Sequence, residues 1–140
     1  MMSEITTDNS SMTLEERALK AADLKEHRDY NCCQAVTAVL ADETEFTPEQ
    51  LFQISSGFAL GLGNMEGTCG ALIGAAMVMG MQIKGKHNFR YIKQLSERFK
   101  ELSGATICGE LKGVKTGKVL CSCADCVKNA VTAYGEIMGL

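Results

Sequence analysis

The chain has 140 residues, 46% of them apolar and 22% charged, and a formal net charge of −3. That length suits one domain with a real core, and the acidic balance with no basic cluster argues against nucleic acid as a partner. A single proline, Pro48, and few alternating Val/Ile/Thr runs point to an all-α fold rather than to strands.

Residues 1–12, "MMSEITTDNSSM", read as a flexible leader. The stretch has neither a basic segment nor an apolar one, so no secretory signal is expected and the cytoplasm is the default compartment. Thr13 and Glu16 then spell a capping box, opening a first helix with Leu14, Ala18, Ala21, Ala22 and Leu24 on its inner side. Asn31 caps a second helix, "NCCQAVTAVLADE", in which Cys32, Val36 and Val39 share a face. Cys33 points about 100° away from Cys32, so the two cannot both face the core.

Thr47 and Pro48 start a third helix, with the proline at the position where a missing N–H costs nothing. The next segment, "GFALGLGNMEG", holds Gly57, Gly61, Gly63 and Gly67. That density predicts positive φ or close backbone approach, and we read it as a functional loop. A fourth helix is expected from about residue 68 to 83, and further helices over about 88–102, 107–111 and 122–138, the last stopped by Gly139.

The fourth helix raises the question of a membrane, because only Glu66 is charged between Leu51 and Ile83. The uncharged run is at the lower limit of a span, and Gln82 and four glycines dilute it. The better account is a central, glycine-rich apolar helix in a single-domain multi-helix bundle, with Gly70-x-x-x-Gly74 allowing another helix to come close.

Seven cysteines need a reason in a chain with no disulfide framework. Cys69 falls at the head of the fourth helix, where exposed N–H groups and the helix dipole favour a thiolate or a metal-bound sulfur. Glu66, just upstream, opposes that anion unless it serves as a base. Ser122 caps the last helix and puts Cys123 and Cys126 in its first turn as a C-x-x-C pair, an arrangement that lowers thiol pKa values. Zinc-ribbon, zinc-finger, ferredoxin and c-type haem spacings are all absent, and His27 and His87 read as surface residues. Cys32, Cys33 and Cys108 taken singly read as packing residues.

Four segments in order, "YNCCQAV", "SGFALGLGNMEGTCGALIGAAMVMG", "RFKELSGATICGELKG" and "CVKNAVTAYGEIM", resemble the bacterial and archaeal C_GCAxxG_C_C family of redox-active proteins. The resemblance implies that the signature cysteines are Cys32, Cys69, Cys108 and Cys126, forming a shared sulfur site. Cys33, Cys121 and Cys123 are then additional.

Two chemistries fit that implication. In one, a Cys69 thiolate attacks a disulfide or other small oxidised substrate, and a second cysteine resolves the mixed disulfide, with a redox protein as partner. In the other, Cys32, Cys69, Cys108 and Cys126 ligate an iron–sulfur cluster or other metal, and the chain transfers electrons. The rival class is a structural or interaction module whose cysteines only pack, with "GFALGLG" and the Met-rich helix as a partner or homodimer surface.

Overall fold

Helix starts in this protein are closed by their own side chains. Thr13 and Glu16, Asn31 and Gln34, and Thr47 and Gln50 each form a reciprocal capping box, and Ser122 accepts from the Asp125 amide. The computed structural model describes residues 9–86 and 88–140. Its helices are α1 (Leu14–His27), α2 (Cys32–Val39), α3 (Pro48–Ser55), α4 (Gly70–Gln82), α5 (Phe89–Ser103), α6 (Cys108–Lys112) and α7 (Cys123–Met138), with a 3₁₀ turn at Ala41–Glu43. The predicted starts at Thr13, Asn31, Thr47 and Ser122, and the stop at Gly139, are where the sequence put them.

The result is an all-α, single-domain bundle. Among the described residues the only β-pairing is one antiparallel bridge, between Thr68 and Ile107. No described helix is long and apolar enough to cross a membrane. The predicted leader falls mostly outside the described residues. Within its last part, Asn9 is buried and donates to the Ala38 carbonyl at 3.2 Å. His27 is exposed, and His87 lies outside the described residues.

α1 packs on α7, α2 on α4, and α5 on α7, with α4 also against α5 and α7. Every residue from Cys33 to Leu40 is buried, so α2 runs through the interior with neighbours on all sides. It is fastened at its start: Tyr30 meets Phe52 edge-on at 5.0 Å, and Asn31 Nδ2 donates to the Ser56 carbonyl at 3.2 Å. At its other end, buried Arg17 donates to the Val39 carbonyl at 2.8 Å and to Asp42 at 2.7 and 2.9 Å, while Tyr134 donates to Glu43 at 3.0 Å. A buried guanidinium needs these partners, since losing one leaves an uncompensated charge inside.

α4 approaches α2 through its glycines. A Cβ on Gly74 would lie 3.0 Å from the Cys33 carbonyl oxygen and 3.1 Å from Val36 Cβ. A Cβ on Gly70 would lie 2.6 Å from the Phe58 carbonyl oxygen and 3.3 Å from the Cys33 amide nitrogen. The Gly70-x-x-x-Gly74 spacing therefore serves a contact between helices of the same chain. Gly70→Ala is expected to lower stability by about 1–3 kcal/mol in urea or thermal unfolding, because backbone must shift to admit the methyl. Gly57→Ala, with nothing within 4 Å of the added Cβ, is expected to stay within about 0.5 kcal/mol of the parent.

Candidate functional site

Five cysteines meet at one end of the bundle because four helices begin there. Cys32, Cys108 and Cys123 are the first residues of α2, α6 and α7, Cys69 is the N-cap of α4, and Cys126 closes the first turn of α7. Each sulfur thus stands near unpaired amides and the positive end of a helix dipole.

The Thr68–Ile107 bridge sets two of them side by side. The Cys69 amide donates to the Thr106 carbonyl at 2.8 Å, and the Cys108 amide donates to the Gly67 carbonyl at 3.0 Å. The loop before them is a left-handed turn: Leu60, Gly61, Leu62 and Gly63 have φ of 51°, 57°, 62° and 91°. Leucine rarely takes that conformation, and here bonds such as Met65 N–H to the Leu60 carbonyl at 3.0 Å hold it. Gly61 is required twice over. Its φ is positive, and an added Cβ would come within 2.6 Å of Cys108 Cβ. The predicted glycine loop thus forms the wall against which Cys108 rests.

Between these elements lies a cleft of about 150 Å³ lined by Cys32, Cys69, Cys108, Cys123 and Cys126, with Lys25 and Lys112 as its charged residues. Cys69, Cys108 and Cys126 are buried, whereas Cys32 and Cys123 are half-buried. The thiols pair off. Cys32 is coupled electrostatically to Cys123, and Cys126 to Cys69.

The two members of each pair are pushed in opposite directions. The Cys32 thiol, helped by the Lys112 ammonium, holds the Cys123 thiol down to about 5 against the cost of burial. Lys112 Nζ donates to Cys123 Sγ at 2.6 Å. The Cys126 thiol and the amides of Ala71 and Leu72 hold Cys69 down to about 7. Cys32 and Cys126, each beside the thiolate of its pair and partly withdrawn from water, are raised well above the ordinary thiol range. Burial also raises Cys108. Each pair therefore offers a thiolate beside a thiol that keeps its proton.

The four signature cysteines share the cleft, and the structure adds Cys123 to them. Cys33 does not join: it turns into the core against Met77 Sδ at 3.7 Å, where burial raises it to about 11. Cys121 lies outside the cleft, half-buried, with the Asn129 amide donating to its sulfur at 3.6 Å. Glu66 is exposed and lines a neighbouring groove with Met65, Gly109 and Glu110.

Lys25 and Lys112 escaped sequence reasoning. Lys112 had a signal, because it stands one turn after Cys108 in "CGELK". Lys25 had none, since its place depends on how α1 turns into α2. Thiolates are the donor chemistry of iron–sulfur clusters and soft metals, but these sulfurs are set in pairs. Among the described residues, no three or more His, Cys, Asp or Glu side chains are arranged to hold a metal ion. We therefore derive no step through a metal.

A family model described as "Putative redox-active protein (C_GCAxxG_C_C)" matches residues 30–137. No curated protein and no solved structure matches the chain.

The Lys112 contact carries a measurable consequence. The thiolate is the reactive form, so Cys123 alkylation by iodoacetamide is expected to rise through about pH 5 and level off well below the ordinary thiol value of 9.0. In Lys112→Met the rise moves to higher pH, because the anion has lost its cation, while Lys115→Met leaves the profile in place. Peptide mapping of the alkylated cysteine across pH reads both outcomes.

Proposed function

The chain belongs to the C_GCAxxG_C_C family, and on that premise we propose that it is a dithiol redox protein acting by thiol–disulfide exchange. The observation that carries this reading is the gathering of Cys32, Cys69, Cys123 and Cys126 in one cleft with the Lys112 ammonium on Cys123, where Cys123 is held acidic beside Cys32 and Cys69 beside Cys126.

At the more exposed pair, the Cys123 thiolate attacks one sulfur of a substrate disulfide. A Cys123–substrate S–S bond forms, the substrate S–S bond breaks, and its electron pair leaves on the second substrate sulfur, which takes up a proton. Cys32 then gives up its proton and attacks Cys123 Sγ. The Cys32–Cys123 disulfide forms, and the first substrate sulfur leaves as a thiol. Two electrons have passed from the protein to the substrate. Cys69 and Cys126 perform the same two steps at the inner pair, with Cys69 attacking and Cys126 resolving.

Cys108 supplies no partner bond, and its role is to keep the pocket lined with sulfur and closed against the Gly61 turn. Lys112 holds Cys123 as an anion before attack. Such chemistry suits a reducing cytoplasm, where a partner dithiol returns the protein to its starting state.

The interaction-module reading draws on Leu60 and Leu62, which are exposed on the loop. Thiol counting separates the two. On protein purified without oxygen, a disulfide oxidant is expected to remove four of the seven thiols, and a thiol reductant to restore them. Seven thiols left unchanged by oxidant would sink the dithiol reading in favour of the interaction module. Near-stoichiometric iron with visible absorption in the same preparation would replace it with a cluster. Cys32→Ser is expected to trap the substrate as a mixed disulfide on Cys123, detectable by intact mass.

A further inference from the structure

Cys126 has a second sulfur neighbour that the two-pair scheme leaves unused. Its thiol shares the cleft with Cys69, and on the other side it donates to the Cys121 carbonyl at 3.8 Å with the Cys121 side chain beside it. Cys121 does not line the cleft. It is half-buried, follows the exposed pair Val119 and Leu120, and is fixed by two further bonds. Its amide donates to the Leu111 carbonyl at 3.3 Å, and the Asn129 side chain, itself held on Ser103 at 2.9 Å, donates to its sulfur at 3.6 Å.

We propose that Cys121 is a third redox thiol, which takes Cys126 from a Cys69–Cys126 disulfide and carries the oxidising equivalent out of the cleft to a partner dithiol. The inference rests on the dithiol reading for the inner pair. Cys121 releases its proton to water and its thiolate attacks Cys126 Sγ. The Cys121–Cys126 bond forms as the Cys69–Cys126 bond breaks, and the electron pair leaves on Cys69 Sγ, where the Ala71 and Leu72 amides favour the anion.

No net oxidation occurs in that step. A partner protein's thiolate next attacks Cys121 Sγ, Cys126 leaves and takes up a proton, and the partner's second thiol resolves the mixed disulfide. The partner ends as a disulfide and Cys121 as a thiol. The buried inner pair, out of reach of a protein-sized reductant, is thereby reached from outside.

The full-length protein is oxidised with graded diamide, its free thiols are blocked in acid, and its disulfides are mapped by peptide mass. Wild type is expected to yield both Cys69–Cys126 and Cys121–Cys126, and Cys69→Ser to retain Cys121–Cys126. Asn129→Leu is expected to lose Cys121–Cys126 selectively. In Cys121→Ser, reduction of the Cys69–Cys126 disulfide by reduced thioredoxin slows about tenfold, while reduction by dithiothreitol keeps its rate.

Cys121→Ala, checked for an unchanged melting temperature, guards against a folding defect in the serine variant. A wild-type protein that forms Cys69–Cys126 at every oxidant ratio and never Cys121–Cys126 would overturn the relay alone. So would a Cys121→Ser protein that thioredoxin reduces at the wild-type rate. No disulfide of either kind would overturn the dithiol reading beneath it.

Discussion

Everything at the sulfur cleft depends on how closely α2 lies on α4. The two helices cross where Gly70 and Gly74 leave room for the backbone of Cys33 and the side chain of Val36. That contact brings the first residue of one helix beside the N-cap of the other, and so Cys32 into the same cleft as Cys69. A wider crossing would still bury apolar surface, but it would move the sulfurs apart. The price is glycine inside a helix at Gly74, about 1 kcal/mol relative to alanine. Fastening at both ends of α2 offsets it, through Asn31 and Tyr30 near the cleft and through Arg17 and Asp42 at the far end.

The electrostatics follow from that geometry. Burial raises the thiols of Cys33 and Cys108. Cys69 and Cys123 go the other way because each has a neighbouring thiol, plus a further source of positive potential. For Cys69 that source is the amides of Ala71 and Leu72. For Cys123 it is Lys112, whose own charge the contact strengthens. The site is asymmetric by construction, with the better-screened, half-buried anion outside and the amide-held one inside.

Much of this was legible in the sequence, and the reason is local chemistry. Thr13, Asn31, Thr47 and Ser122 announce helix starts by side-chain bonds that span only three residues. The position of Cys69 at a helix head, the positive φ of Gly61 and Gly63 and the close approach permitted by Gly70 and Gly74 are likewise short-range matters. What escaped is what depends on distant pairing. Cys123 counted as additional because the resemblance implies the other four cysteines, and its neighbour in the cleft, Cys32, is far away in the chain. The Thr68–Ile107 bridge, which sets Cys69 beside Cys108, joins residues with no visible strand pattern around them. Lys25 reaches the cleft only through the turn between α1 and α2.

The C-x-x-C of α7 shows most clearly what the tertiary structure changes. Read in one dimension, Cys123 and Cys126 are each other's partners. On the helix they stand one turn apart on one face, and each is coupled to a cysteine from a different helix, Cys123 to Cys32 of α2 and Cys126 to Cys69 at the head of α4. A disulfide within the motif would tie α7 only to itself, whereas a disulfide at either observed pair would staple α7 to the interior of the bundle across a long stretch of chain. Closing loops of that length restricts the unfolded chain by about 4 kcal/mol in the entropic account. Oxidation at either pair would therefore register as a gain in global stability, and the geometry that makes Cys123 and Cys69 acidic would make an oxidised form the stiffer one.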